Sequence, residues 1–318
     1  MKKVYFIDEV HDVLKEELNK NGYFCEELSK EPLNEVKSKI KEAFGLVIRS
    51  RFTLNSSFLN NAPELNFIAR SGSGLENIDL DYCKKRKIEV YNSPEGNKEA
   101  VAEHCLGFLL SLLNNFKSAQ QEIGKGKWQR ENNRGLELEK QTVGIIGYGH
   151  NGSAFANKLE KLGVKTLVYD KYKKGLSKGL IKESNLEEMF KKCTAISFHV
   201  PLTKETLYMA DYQFFSSFIH PVFVLNISRG RVVNTKDLYK ALKEGQVLGA
   251  GLDVLEEEGS DFNLKESNEM IQRLNDLPNV ILTPHVAGWT KESYYKLSMV
   301  LADKILNKKK PSIEGFNG

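Results

Sequence analysis

The sequence predicts an α/β protein with two parallel sheets, and three observations carry that expectation. Short apolar runs rich in Val, Ile, Tyr and Phe alternate with segments of helical period along nearly the whole chain, as strands joined by crossover helices do. The runs fall into two series separated by one helical segment. At 318 residues the chain exceeds the size at which one hydrophobic core keeps growing, so two domains are expected.

In the first series, strands are expected at Val4 to Asp8, Tyr23 to Glu27, Leu46 to Arg49, Phe67 to Ala69 and Ile88 to Tyr91, making a small doubly wound sheet. A helix over Lys98 to Phe116, following Pro94 and Gly96, suits a connector between lobes. The second series runs Thr142 to Gly147, Thr166 to Asp170, Ala195 to His199, Val222 to Ile227, Leu248 to Asp253 and Val280 to Thr283, giving a six-stranded sheet. The final helical segment, Lys291 to Leu306, spaces Tyr294, Leu297, Val300, Leu301 and Ile305 to cover another layer; it is expected to return to the first lobe, which lacks a closing helix. The domains so defined are 1–93 with 289–318, and 94–288 inserted between them.

Composition narrows the class. Hydrophobic residues at 41% and charged residues at 28% suit a water-soluble globular protein, and no apolar run approaches the roughly 20 residues of a membrane span. The basic opening is followed by an apolar run that Asp8 and Glu9 stop, which reads as a first strand and not as a signal peptide. Cys25, Cys83, Cys105 and Cys193 are scattered without C-x-x-C spacing, so neither zinc nor a disulfide framework is expected, and a reducing cytoplasm fits. A net charge of +4, with lysines interleaved with glutamates, does not imply nucleic acid. Lys308 to Lys310 reads as a solvated helix end.

Gly147-Tyr148-Gly149-His150-Asn151-Gly152 follows the strand ending Val143-Gly144-Ile145-Ile146 and opens a helix running to Leu162. In that context Gly147 serves a tight turn, Gly149 admits a pyrophosphate, and Gly152 permits close helix packing, with helix N–H groups facing the anion. The next strand ends in Asp170, placed to accept hydrogen bonds from both ribose hydroxyls; this favours NAD, although Lys171, Lys173 and Lys174 nearby would admit some NADP. The second domain is therefore expected to be a Rossmann dinucleotide-binding domain.

Further on come Asn226-Ile227-Ser228-Arg229-Gly230, then Asp253-Val254-Leu255-Glu256-Glu257-Glu258, then Thr283-Pro284-His285-Val286-Ala287-Gly288, each after an expected strand. Ligands of doubly wound sheets bind beyond the carboxyl ends of strands, so Arg229, a glutamate and His285 would converge. Oxidising a hydroxyl by hydride transfer needs that set: a base for the proton, a cation for a carboxylate, and an acid to tune the base. His104 sits in an apolar helical face and reads as a packing residue.

This set, with Arg70-Ser71-Gly72-Ser73-Gly74-Leu75-Glu76-Asn77-Ile78-Asp79 and Ala102-Glu103-His104, resembles the D-isomer-specific 2-hydroxyacid dehydrogenases over nearly the whole chain. The resemblance implies a Rossmann domain inserted in a smaller flavodoxin-like α/β substrate domain. It also implies Arg229 as the carboxylate ligand, His285 as general acid/base and Glu258 as its partner. Glu256 and Glu257 compete for that last role; spacing from Asp253 in the family pattern favours Glu258, where Gly259 replaces the usual proline. The same resemblance places His150, Asn151, His199, Ser228, Asp253 and Gly288 among cofactor contacts, with His199 bordering the adenine.

Arg49-Ser50-Arg51 is similar to the substrate-phosphate region of the family branch that oxidises 3-phosphoglycerate, the first step of serine biosynthesis, and two guanidinia suit a phosphate. That resemblance adds Ser73, Gly74 and Asn97 to the substrate contacts, and Arg130 as a residue reaching across a homodimer interface. The chain ends at Gly318, soon after its closing helix, which carries the expectation of no feedback inhibition by serine. Alternatives are a glyoxylate or hydroxypyruvate reductase and, from another class, an NAD-sensing corepressor.

Overall fold

The computed structural model describes residues 1–259 and 269–307, so Lys308 to Lys310 lie outside the described residues. The chain forms two compact units, 1–98 with 289–307, and 99–259 with 269–288.

The first unit is built on five parallel strands, β1 (Lys2–Phe6), β2 (Tyr23–Glu27), β3 (Gly45–Ile48), β4 (Phe67–Arg70) and β5 (Glu89–Asn92), in the order β2-β1-β3-β4-β5. Helices cover both faces, so the strands read as continuous apolar runs. Tyr5, Ile7, Leu46, Ile48 and Ile68 enter one core, and the alternate residues Val4, Phe6, Val47, Phe67 and Ala69 enter the other. The helix Lys291–Ile305 closes the second of these cores with Leu301, Ala302 and Ile305. It opens with a capping box in which Thr290 and Ser293 exchange side-chain and backbone hydrogen bonds.

The second unit holds a seven-stranded parallel sheet: β6 (Thr142–Ile146), β7 (Lys165–Tyr169), β8 (Ile181–Glu183), β9 (Ala195–Phe198), β10 (Val222–Asn226), β11 (Val247–Leu252) and β12 (Val280–Leu282). Its order, β12-β11-β10-β9-β6-β7-β8, starts at the centre with β6, runs outward through β7 and β8, and returns to add β9 to β12, as in dinucleotide-binding sheets. Six strands were expected here. The extra one, β8, is an edge strand of three residues, of which only Ile181 is buried, so it offers no apolar run to read.

The connector also differs from expectation. The helix begins at Pro94, whose missing N–H suits a first turn, and ends at Leu113. Gly96 lies inside it, and a Cβ there would sit 2.6 Å from the Leu297 backbone nitrogen, so two helices meet backbone to backbone. Asn115 in the left-handed region (φ 53°) breaks the path, and Phe116 belongs to a second helix, Phe116–Gly124, that buries no residue. No described helix is long and apolar enough to cross a membrane. Thr290→Ala should cost about 1 kcal/mol by removing the cap, lowering the urea midpoint with the m-value unchanged; an unchanged midpoint would mean that the box contributes nothing.

Candidate active site

The glycine turn leaves β6 with Gly147 at φ 94°, and a Cβ on it would lie 2.6 Å from the His199 carbonyl oxygen. A Cβ on Gly152 would lie 2.0 Å from the Gly147 oxygen, so the helix His150–Lys161 packs directly on the turn. Gly149 differs: a Cβ there would meet nothing within 4 Å. That open space lies at the N-terminus of a twelve-residue helix, where N–H groups and the dipole attract anions. The Asn151 Oδ1 atom is buried nearby with no hydrogen-bond partner among the described residues. Glycines that two close contacts require, beside open space at a helix N-terminus, fit a dinucleotide pyrophosphate.

Asp170, one residue beyond β7, accepts backbone N–H bonds from Tyr148 (2.8 Å), Tyr172 (2.9 Å) and Lys173 (3.1 Å). Burial alone would raise its pKa, but these three donors and the Lys173 charge hold it below the usual carboxylate range. The neighbouring lysines are engaged: Lys171 with Glu205 (2.6 Å), Lys173 with the Tyr148 carbonyl (2.9 Å) and Lys174 with Glu183 (3.9 Å). His199 supports the turn from below. Its Nε2 pairs with Ser197 Oγ at 2.8 Å, its ring faces Phe155, and burial pushes its pKa down to about 3.

The sheet order makes β10, β11 and β12 neighbours, and the candidate catalytic residues follow their carboxyl ends. Asn226 shapes the first turn, accepting from the Ser228 N–H (3.1 Å) and hydroxyl (2.8 Å) and donating to the Arg229 carbonyl (3.0 Å). A Cβ on Gly230 would sit 1.9 Å from the Leu255 oxygen, so the Arg229 turn lies against the chain that carries the three glutamates. Those glutamates separate by partner. Glu256 accepts the Thr235 N–H (2.5 Å) at the start of the helix Thr235–Lys243. The Glu257 carboxyl is pushed up by burial. Glu258 pairs with His285 Nδ1.

Asp253 organises the turn that presents His285. Its Oδ1 accepts from Thr283 Oγ1 (2.5 Å) and Val286 N (2.9 Å), its Oδ2 from Ala287 N (2.9 Å), and its carbonyl from His285 N (2.8 Å). Asp253, expected among the cofactor contacts, has a buried carboxylate bonded to the turn that ends at Gly288. His104 joins the same network from its helix, its Nε2 3.0 Å from Thr283 Oγ1, and burial lowers its pKa against the pull of Asp253.

In the first unit, Asp8 Oδ2 accepts the backbone N–H groups of Arg49, Ser50 and Arg51 at 3.0, 2.8 and 2.9 Å. The two guanidinia then diverge. Of the two arginines expected at a phosphate, Arg51 donates to the carbonyls of Leu28 (3.1 Å), Glu31 (2.7 Å) and Ile7 (3.4 Å). Ser73 Oγ donates to Asn97 Oδ1 at 3.1 Å with Gly74 beside it, and Asn77 Nδ2 reaches the Arg49 carbonyl at 3.2 Å. Arg130, in the second unit, is exposed beside Trp128, which is 80% exposed.

Residues 106–287 match the family described as "D-isomer specific 2-hydroxyacid dehydrogenase, NAD binding domain". The chain belongs to that family. It is 30% identical to a D-3-phosphoglycerate dehydrogenase of Archaeoglobus fulgidus over 96% of this chain, but spans only 57% of that relative's length. It is 31% identical to a hydroxypyruvate reductase of Thermotoga maritima, over 88% of each chain. A D-lactate dehydrogenase of Aquifex aeolicus, crystallised with NAD and lactic acid, superposes with a TM-score of 0.79 at 30% identity, covering 96% of this chain and 94% of that one.

The family's oxidoreductases act on CH–OH groups, and the cofactor is NAD. Two organising residues escaped the sequence reading. Asp8 ends an apolar run as Asp170 does, a signal that was legible but was taken only as a strand stop. Trp289 directly follows the His285 motif and carries no motif of its own. The His199 environment yields a pH prediction. Unfolded, the imidazole takes its proton near 6.5; folded, only near 3. Stability from this group is therefore fully present above 6.5 and is lost as pH falls toward 3. NMR should find the ring neutral from about pH 8 to about pH 4, and titration near 6.5 would contradict its burial.

Proposed function

We propose that the protein oxidises 3-phosphoglycerate to 3-phosphohydroxypyruvate with NAD, the entry reaction of a route to serine. The observation that carries the reaction class is the Glu258 contact with His285 Nδ1, made by the segments that follow β11 and β12, while Arg229 follows β10, the next strand in the sheet. With Glu258 ionised, the Nδ1 position carries the proton and Nε2 keeps a lone pair, the arrangement a general base needs. His285 takes the hydroxyl proton at Nε2, and Glu258 stabilises the imidazolium that results. Arg229 holds the carboxylate and orients the carbinol carbon by a planar, two-toothed grip. NAD, when bound, supplies the hydride acceptor.

For the substrate, the Arg49 guanidinium beside Ser50, with the Ser73 and Asn97 pair, supports a phosphorylated acid. The second reading within the class is reduction of hydroxypyruvate or glyoxylate. It is favoured by the engagement of Arg51 with carbonyls, and it matches the name of the Thermotoga relative. A corepressor needs no imidazole paired to a carboxylate, so the site favours catalysis. A homodimer would cover Phe116, Ile123 and Trp128, exposed at 59, 58 and 80%, and bring Arg130 to the partner's site.

Nicotinamide absorbance, followed with a panel of D-2-hydroxyacids and their keto acids, tests the substrate. The phosphorylated pair should exceed glycerate, lactate and hydroxypyruvate in kcat/KM by on the order of 100-fold; faster turnover of hydroxypyruvate or glyoxylate would establish the second reading. His285→Gln should lower kcat by at least about 100-fold with NADH affinity within about twofold of wild type. Parallel loss of both would make His285 structural.

A further inference from the structure

Arg49 is held in an unusual way. Its guanidinium lies 3.9 Å from the centroid of the Trp289 ring, both residues in the first unit. Trp289 packs at 5.8 Å against Tyr294, and Tyr294 and Tyr295 meet the His11 ring at 5.5 and 5.2 Å. The indole is thus braced on an aromatic cluster at the start of the helix Lys291–Ile305, while 49% of it stays exposed.

The comparison with Arg51 gives this contact meaning. Arg51 is fixed by carbonyl oxygens, which use its N–H groups. Arg49 is fixed by a π face, which uses none of them. Among the described residues, the only hydrogen bond from the Arg49 guanidinium is a long one, 3.5 Å, to the Glu9 carbonyl. Asp8, the acid bonded to that loop, has its Oδ2 occupied by three backbone N–H groups. A half-buried cation held over a ring face, and whose donor edge is left over, is prepared for an anion.

We infer that Trp289 is a specificity-determining residue: it holds Arg49 so that the guanidinium edge is presented to the anionic group of the substrate. Trp289 stands four residues after His285, with Val286, Ala287 and Gly288 between them. One short segment therefore carries both the proposed base and the residue that positions the anion contact. The inference rests on the phosphate reading of Arg49 given above.

The test labels the protein with 5-fluorotryptophan. There are two tryptophans, and the Trp289 resonance is the one missing from Trp289→Phe. Titration with 3-phosphoglycerate or inorganic phosphate should move it, D-glycerate should not, and Arg49→Ala should abolish the shift. In steady state, Trp289→Ala should raise KM for the phosphorylated substrate by about 3- to 30-fold, the range of a cation–π contact, with kcat within about twofold. Trp289→Phe should recover most of the loss. If Arg49→Ala raises KM selectively for the phosphorylated substrate while Trp289→Ala does not, or the resonance stays still, the role of Trp289 is overturned and the function stands. If Arg49→Ala shows no selectivity, the phosphate reading fails, and this inference with it.

Discussion

The turn carrying His285 has a backbone that a non-glycine residue adopts only under constraint, with φ at 54°. Left-handed backbone costs about 1 to 2 kcal/mol at such a residue. The constraint is the buried Asp253 carboxylate, which accepts from Thr283 Oγ1, Val286 N and Ala287 N while its own carbonyl accepts from His285 N. Hydrogen bonds to a charged acceptor contribute about 1.5 to 3 kcal/mol each, so three of them outweigh the strain. Glu258 meets the imidazole only because this turn aims it. Without that arrangement, the proposed base would be one more surface histidine.

The same device recurs at other strand ends. Asp8 follows β1 and gathers the backbone of Arg49, Ser50 and Arg51. Asp170 follows β7 and gathers Tyr148, Tyr172 and Lys173. In each case a carboxylate at the mouth of a parallel sheet satisfies several N–H groups that a loop would otherwise leave to water. The loops that bear the candidate side chains are thereby set by the sheets beneath them. This is why residues far apart in sequence, such as Arg229, Glu258 and His285, take up places on neighbouring turns.

Much of this was legible in the sequence, for a physical reason. Strands buried on both faces announce themselves as apolar runs, as Val222–Asn226 does, and the candidate Arg229 turn directly follows it. The edge strand Ile181–Glu183 was not legible, because one buried residue makes no pattern. Neither was the break at Asn115, since Leu113 and Phe116 continue the apolar sequence across it. The three consecutive glutamates share one chemistry; family spacing favours Glu258 as the imidazole's partner, and the coordinates pair those two while giving Glu256 to the Thr235 N–H. Arg49 and Arg51 likewise share one chemistry and part company over what surrounds them.

Histidine labelled with nitrogen-15 offers the most direct test of the Glu258 and His285 pairing, since ring nitrogen shifts report which atom carries the proton. The account predicts that the wild-type His285 ring is protonated at Nδ1 and bare at Nε2 when neutral, and that Glu258→Gln disturbs this balance while Glu256→Gln leaves it unchanged. A ring protonated at Nε2 in the wild type, or one that responds to the Glu256 change and not to the Glu258 change, would contradict it.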